Sequence, residues 1–215
     1  MNIIIGGGKY GCYAIEQLRQ KGKGFVLIDT DPNCLAAKQF KLKTPDQITS
    51  NGEHFVHGDL ATALKLIDEL RPEYVFPTAP VHIAADLARL KFNLESWPEA
   101  INAILPKLPE VVVLASGKGK LIASFNRDHN CVDKCSMPQV CPSSNIRKPC
   151  SMTDLIRFAC PEAFILISYS MAPGMGALKG SELIDFFQWA KQRDKFVVAT
   201  TCDCHGVLDA FQKRK

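Results

Sequence analysis

No apolar run in this chain approaches the ~20 residues that a membrane span needs, so the sequence offers no candidate transmembrane helix. Its opening, MNIIIGGGKYG, has no basic segment leading into a long apolar stretch. That pattern is not a secretory leader and points to a soluble, cytoplasmic protein. Aromatic residues are sparse, at 8%, and none alternates with basic residues where those gather. Nucleic acid is therefore the weaker choice of partner. The chain also lacks a large excess of one charge, its net value being +4.

What remains is ordinary globular composition, 47% hydrophobic and 22% charged over 215 residues. That length suffices for one large α/β domain or two small ones, each with a real core. Cysteine is the exception. There are nine, an odd number in a chain with no export signal, so metal or redox chemistry reads better than a disulfide framework. Cys12 and Cys34 stand alone in the first half, Cys12 where a helix packs on a sheet. The other seven lie between Cys131 and Cys204.

The first forty residues read as strand, glycine turn, helix, strand. NIII is a short β-branched run, and GGGKYG places Gly6, Gly8 and Gly11 in a G-x-G-x-x-G pattern. Tyr10, Ala14, Ile15 and Leu18 then follow helical spacing, and GFVLIDTD is a second strand ending at Asp29. The first glycine permits a tight turn, the second lets backbone approach a pyrophosphate, and the third lets helix and strand pack closely. The phosphates would meet the free amides and the dipole at the helix N-terminus. Asp29, 18 residues beyond Gly11, suits the diol of an adenine ribose and repels a 2′-phosphate, which favours NAD over NADP.

These residues resemble the TrkA-N (RCK) domains, NAD-binding regulatory modules of potassium uptake systems. IDTDP looks like the end of that family's second strand. GEHFVHGDLATALKLI looks like its third strand, a Gly58-Asp59 turn and a helix, and RPEYVFPTAPVHIAADLAR like its fourth strand and helix. The resemblance covers roughly residues 1–92 and implies that Gly6, Gly8, Gly11 and Asp29 contact the dinucleotide, with Asp59 near its adenine side. GGGK is also similar to the opening of the dehydrogenase that oxidises a tetrapyrrole precursor of sirohaem. His82 follows the fourth strand, either as a polar catalytic group or as a helix-start residue. No family is recognised for the second half.

Prolines punctuate LESWPEAINAILPKLPE, and the boundary between halves is placed there, giving 1–108 and 109–215. VVVLASGKGKLIASFN reads as two strands around a Gly-Lys-Gly turn. SMTDLIRFACPE reads as a helix with Ser151 as N-cap and Asp154 answering it. AFILISYS and KFVVATT read as buried strands, MAPGMGALKG as a glycine-rich loop, SELIDFFQWAKQRD as a helix capped by Ser181, and CHGVLDAFQKRK as a final short helix. The expected fold is α/β: a Rossmann-like doubly wound parallel sheet, then a second α/β half with parallel crossovers and a cysteine-rich loop.

That loop, CVDKCSMPQVCPSSNIRKPC, spaces Cys131, Cys135, Cys141 and Cys150 as C-x3-C-x5-C-x8-C. From Ser116 to Cys150 six basic residues face two acids, so this segment alone carries the net charge of the chain. Basic neighbours would offset a four-thiolate [4Fe–4S] cluster, the preferred occupant, with Cys131, Cys135, Cys141 and Cys150 as ligands. The C-x2-C repeats of ferredoxins are absent. Zinc is the alternative: Cys131 and Cys135 fit one knuckle, while Cys141 and Cys150 fit none. A dithiol switch needs only two thiols. Cys160, and Cys202, Cys204 and His205 in TTCDCHG, stand as alternative ligands. These readings combine into an NAD(H)-binding redox-linked sensor or small oxidoreductase. The other classes are a non-catalytic nucleotide-binding module with structural zinc and a tetrapyrrole-type dehydrogenase. A redox partner protein and a homodimer stay open.

Overall fold

The computed structural model describes residues 1–126 and 129–214. Arg127 and Asp128 of the basic segment lie outside them. In chain order the elements are β1 (Asn2–Ile5), α1 (Lys9–Gln20), β2 (Phe25–Asp29), α2 (Leu35–Phe40), β3 (Glu53–His57), α3 (Leu60–Leu70), β4 (Tyr74–Pro77) and α4 (Ile83–Phe92). There follow β5 (Leu94–Ser96), α5 (Pro98–Ile104), β6 (Val113–Gly117), β7 (Lys120–Ser124), α6 (Met152–Ala159) and β8 (Phe164–Ile167). The chain ends with β9 (Tyr169–Ala172), β10 (Met175–Lys179), α7 (Gly180–Lys191), β11 (Lys195–Thr201) and β12 (His205–Lys213). The protein is mixed α/β, with comparable helix and strand content and two mixed sheets.

The chain divides into two compact units, 1–87 with 169–185, and 88–168 with 186–215. The boundary expected at 108/109 lies inside the second of these. No helix among the described residues is long and apolar enough to cross a membrane.

In the first unit the strand order is β3-β2-β1-β4-β10-β9. β1 to β4 pair in parallel, while β10 runs antiparallel to β4 and β9 antiparallel to β10. Every residue of β1 is buried, as expected of an unalternated Ile run between layers on both faces. α1 turns Ala14, Ile15 and Leu18 inward, and these join Ile4, Leu27 and Phe76 in one apolar cluster. Cys12 and Cys34 belong to the same cluster. MAPGMGALKG is not a loop: Pro173-Gly174 turns the chain from β9 into β10, with Gly174 at φ +75°. Proline followed by a glycine of positive φ is turn chemistry, and flanking residues that pair as strands make it a hairpin.

In the second unit the order is β6-β7-β12-β11-β8, with β5 paired to β12. Only β8 and β11 are parallel; the remaining pairs are antiparallel. The expectation of parallel crossovers here thus meets a largely antiparallel sheet. The cause is the end of the chain. CHGVLDAFQKRK forms the long strand β12, not a helix, and pairs with β7, β11 and β5. Leu208 and Ala210 share one face of it and enter a core with Leu121, Phe125, Ile156 and Val197. α6 begins as expected, Ser151 Oγ accepting the Asp154 amide at 3.0 Å. Ser181, by contrast, lies within α7 and does not precede it.

Candidate functional site

The turn after β1 is fixed by contacts that side chains would block. Gly6 has φ +109°, and a Cβ there would lie 2.8 Å from the Ala79 amide nitrogen. A Cβ on Gly11 would lie 2.2 Å from the Gly6 carbonyl, so α1 presses directly on the turn. Thr78 Oγ1 donates to the carbonyls of Ile5 at 3.0 Å and Gly6 at 2.7 Å, tying the turn to the end of β4. Gly8 differs: a Cβ there meets nothing within 4 Å. Gly8 is also the N-cap of α1, provides no side-chain cap, and is followed by a first turn without an acid. The dipole at the start of α1 therefore meets no acid of its own first turn. Asp29 is beside it, accepting the Gly7 amide at 2.5 Å and the Asp31 amide at 2.8 Å.

Asp59 performs a different task. Its carboxylate caps α3, accepting the amides of Ala61 at 2.9 Å and Thr62 at 3.1 Å. The Thr62 and Ala61 amides hold that carboxyl below its usual range. His82 is buried just before α4, and its backbone carbonyl accepts the Asp86 amide at 3.0 Å.

Seven cysteines fall in the second unit, and they do not stay together. Strand pairing is what sorts them. β11 and β12 form a hairpin in which Thr201 opposes Gly206, so Cys202, Asp203, Cys204 and His205 make its turn. The Cys202 amide donates to the His205 carbonyl at 2.9 Å, and the Met152 amide at the start of α6 donates to Asp203 O at 3.0 Å. β12 also pairs His205 with Ser124, which brings the end of β7 alongside. Asn126 then donates to Cys131 Sγ at 3.0 Å, and the ring of His205 stands between two sulfurs, Nε2 3.4 Å from Cys131 and Nδ1 3.6 Å from Cys202. Lys148, only 8% exposed, directs its ammonium to Cys204 Sγ at 3.2 Å and to Met137 O at 3.0 Å.

Burial pushes the thiols of Cys131, Cys202 and Cys204 up, with Asn126 opposing at Cys131 and Lys148 at Cys204. Burial, then the Lys148 charge, lowers the pKa of His205. At Cys141 burial also raises, but hydrogen bonds from Ser144 and Ser143 and the charge of Lys148 outweigh it, leaving that thiol below its ordinary value. No group of three or more His, Cys, Asp or Glu side chains, among the described residues, is already arranged to hold a metal ion.

A family model described as "Uncharacterized protein, N-terminal domain" (AF_1314_N) matches residues 1–83, and one described as "Uncharacterized protein, C-terminal domain" (AF_1314_C) matches residues 84–214. The chain belongs to the AF_1314 family. A protein of Archaeoglobus fulgidus, itself described as "Uncharacterized protein", is 44% identical over 215 residues, covering 99% of this chain and 100% of that one. No solved structure matches.

This corrects the TrkA-N resemblance: residues 1–83 match the AF_1314 N-terminal domain, not a TrkA-N domain, and the second half has a family domain of its own. The shared features, a glycine turn and alternating strands and helices, are common to many α/β proteins and do not separate one family from another. Of the expected metal ligands in the AF_1314 chain, Cys135 and Cys141 each lie within electrostatic reach of Cys131, and so does Cys202. Cys150 is half-buried next to the Ser151 cap. Cys160 is fully buried in the apolar core with Met152 and Ile156, its thiol pushed up to about 12 by burial and by Glu162. Sequence reasoning missed Lys148 and Asn126 as partners of sulfur. The signal for Lys148 was its place in a basic segment beside cysteines; for Asn126 there was none.

Proposed function

We propose that this AF_1314 protein binds NAD(H) at the Gly6–Gly11 turn and couples that binding to a thiolate-bound metal site, of iron–sulfur type, in its second unit, as a redox-linked sensor or small oxidoreductase. The observation that carries the reading is Gly8: an open position for a side chain at the uncapped start of α1, beside a carboxylate. A pyrophosphate fits where the absent side chain would be, and backbone amides are the donors it requires. Asp29 spends two acceptor positions on Gly7 and Asp31, and an ionised carboxylate has about four, so it keeps capacity for a ribose diol. We take the β3-β2-β1-β4 order as half of a Rossmann-like, doubly wound arrangement, in which ligands sit at the carboxyl ends of the strands where the order reverses. β1, with neighbours reached in opposite directions, is that strand.

Bound NAD(H) would supply hydride chemistry. The residues of this chain bind and orient: the turn amides hold the phosphates, Asp29 selects an unphosphorylated ribose, and Thr78 keeps the turn closed on β4.

The test is NADH fluorescence on titration with wild-type protein and with Gly8→Val. The valine has room in the free protein but occupies the phosphate position. Saturable binding by the wild type that Gly8→Val abolishes, with an unchanged melting temperature, supports the reading. Equal binding by both proteins, or by neither, refutes it.

A further inference from the structure

Four of the seven clustered cysteines form a closed circuit. Cys131 and Cys202 face the two ring nitrogens of His205 at 3.4 and 3.6 Å, while Lys148 Nζ donates to Cys204 at 3.2 Å and to the Met137 carbonyl at 3.0 Å, the Met137 amide in turn donating to Cys135 at 3.4 Å. Each of the four sulfurs also faces an N–H donor or a ring nitrogen able to be one. Asn126 Nδ2 is 3.0 Å from Cys131, the Met137 amide 3.4 Å from Cys135, His205 Nδ1 3.6 Å from Cys202, and Lys148 Nζ 3.2 Å from Cys204. Outer hydrogen bonds to sulfur orient thiolate ligands and set their basicity.

Two further observations point to the same place. The partners of Lys148 are one carbonyl and one sulfur, and burying an ammonium is costly unless it meets compensating charge. A metal-bound thiolate at Cys204 supplies that charge. The loop is also held in an uncommon backbone conformation: Lys134, Met137 and Asn145 all have positive φ, at 52°, 58° and 57°. Non-glycine residues adopt it rarely, and such conformations persist where surrounding contacts over-determine them, often at ligand sites. Lys134 lies between Cys131 and Cys135, and Met137 supplies the amide that meets Cys135.

We infer that Cys131, Cys135, Cys202 and Cys204 are the ligands of one thiophilic metal centre, with Cys141, Cys150 and Cys160 outside it. This inference rests on the metal reading above and names its ligand set. The set joins a C-x3-C pair from the loop to a C-x-C pair from the β11–β12 turn. Cys141 is left out because it is buried in a turn of its own, its amide donating to the Ile146 carbonyl and its carbonyl accepting the Asn145 amide, each at 2.9 Å. His205 is a positioning residue: its two ring nitrogens face different sulfurs, Cys131 and Cys202. Binding draws the four sulfurs inward, which the segment from 129 to 150 allows, since among its described residues there is no helix or ladder strand.

The experiment uses the full chain with single Cys→Ser variants at all seven positions. Each protein is purified without oxygen, reconstituted with ferrous iron and sulfide or, separately, with Zn2+. Metal and sulfide content, absorbance near ~400 nm and the melting temperature without metal are measured. The expected result is that Cys131→Ser, Cys135→Ser, Cys202→Ser and Cys204→Ser lose the metal while Cys141→Ser, Cys150→Ser and Cys160→Ser keep it. Lys148→Met and Asn126→Ala weaken binding about 10–100-fold, as loss of outer contacts does elsewhere. X-ray absorption of the loaded wild type, expected to show sulfur ligands alone, decides the matter if a serine variant fails to fold. Metal loss in Cys150→Ser with retention in Cys202→Ser overturns the inference and leaves the metal reading standing. So does metal loss in His205→Ala with a nitrogen ligand in the wild-type spectrum. A wild type that takes up neither metal overturns both. Zinc held by the same four sulfurs supports the ligand set and removes the iron–sulfur occupant.

Discussion

The glycine turn and the thiol circuit are built on opposite plans. The turn is six consecutive residues of backbone, pinned by Thr78 and by the close approach of Gly11 to Gly6. The circuit is mainly side chains, those of Asn126, Cys131, Cys135, Lys148 and the Cys202–His205 turn, with the Met137 backbone beside them, and is held together by strand pairing far along the chain. A backbone site fails when an atom is added. A side-chain site fails when an atom is removed, or when the elements carrying it shift. The two regions should therefore respond differently to substitution, and that difference can be tested.

The largest effect expected is on the turn. Gly11→Ala forces a methyl against the Gly6 carbonyl, where the ideal position lies 2.2 Å away. Forcing apart packed backbone costs about 3 kcal/mol, and urea unfolding should show a loss of that order. A loss below about 0.5 kcal/mol, the level of an ordinary surface change, would mean that helix and turn are not in contact.

The next contrast separates a core cysteine from a circuit cysteine. The Cys160 thiol is pushed up from an ordinary 9.0 to about 12 in the folded protein. Above the first value the unfolded thiol is ionised while the folded one still holds its proton, so the unfolded state gains. Between those limits the contribution falls by about 1.4 kcal/mol per pH unit. Melting followed from pH 8.5 upward should decline less steeply in Cys160→Ala than in the wild type. Identical slopes would show that Cys160 is not the buried acid responsible.

Gly8→Ala sharpens the comparison from the binding side. A single methyl should leave unfolding unchanged and weaken NADH binding about tenfold, which is about 1.4 kcal/mol. Destabilisation without loss of binding would reverse the roles given to Gly8 and Gly11. The smallest effect is at the cap of α6, the helix whose first amide holds the Cys202–His205 turn. Ser151→Ala should cost about 1 kcal/mol and leave the metal content of the loaded protein unchanged, because the circuit depends on β11–β12 pairing more than on this cap.

These contrasts also explain what was legible in the sequence. Glycine positions in the turn and the Ser151 cap are set by local geometry, so spacing alone revealed them. The first two strands and α1 follow from unbroken apolar runs and helical periodicity, whereas β3, β4 and their helices are expected only through a family resemblance, and α2 has no signal of its own. The thiol circuit was only half visible. Cys131 and Cys135 are close in sequence, but their partnership with Cys202 and Cys204 depends on the register that sets His205 opposite Ser124. Proximity along the chain alone groups Cys150 with the loop cysteines and does not reveal that Cys160 sits in the apolar core. The final segment looked like a helix because its apolar residues are too few to fix a period. Pairing with β7, β11 and β5 decides that it is a strand. The glycines of MAPGMGALKG suggest a loop, and nothing local shows that the flanking residues pair as β9 and β10 and complete the first sheet.

The claim at the centre of this account is that a dinucleotide lies on the Gly6–Gly11 turn, and amide chemical-shift mapping during an NADH titration tests it most directly. The largest shifts should fall on Gly7, Gly8, Lys9 and Tyr10, with smaller ones at Asp29 and Thr78. Shifts confined to another place, such as the cavity of about 340 Å3 lined by Trp97, Trp189 and Phe196, or no shifts at saturating NADH, would contradict it.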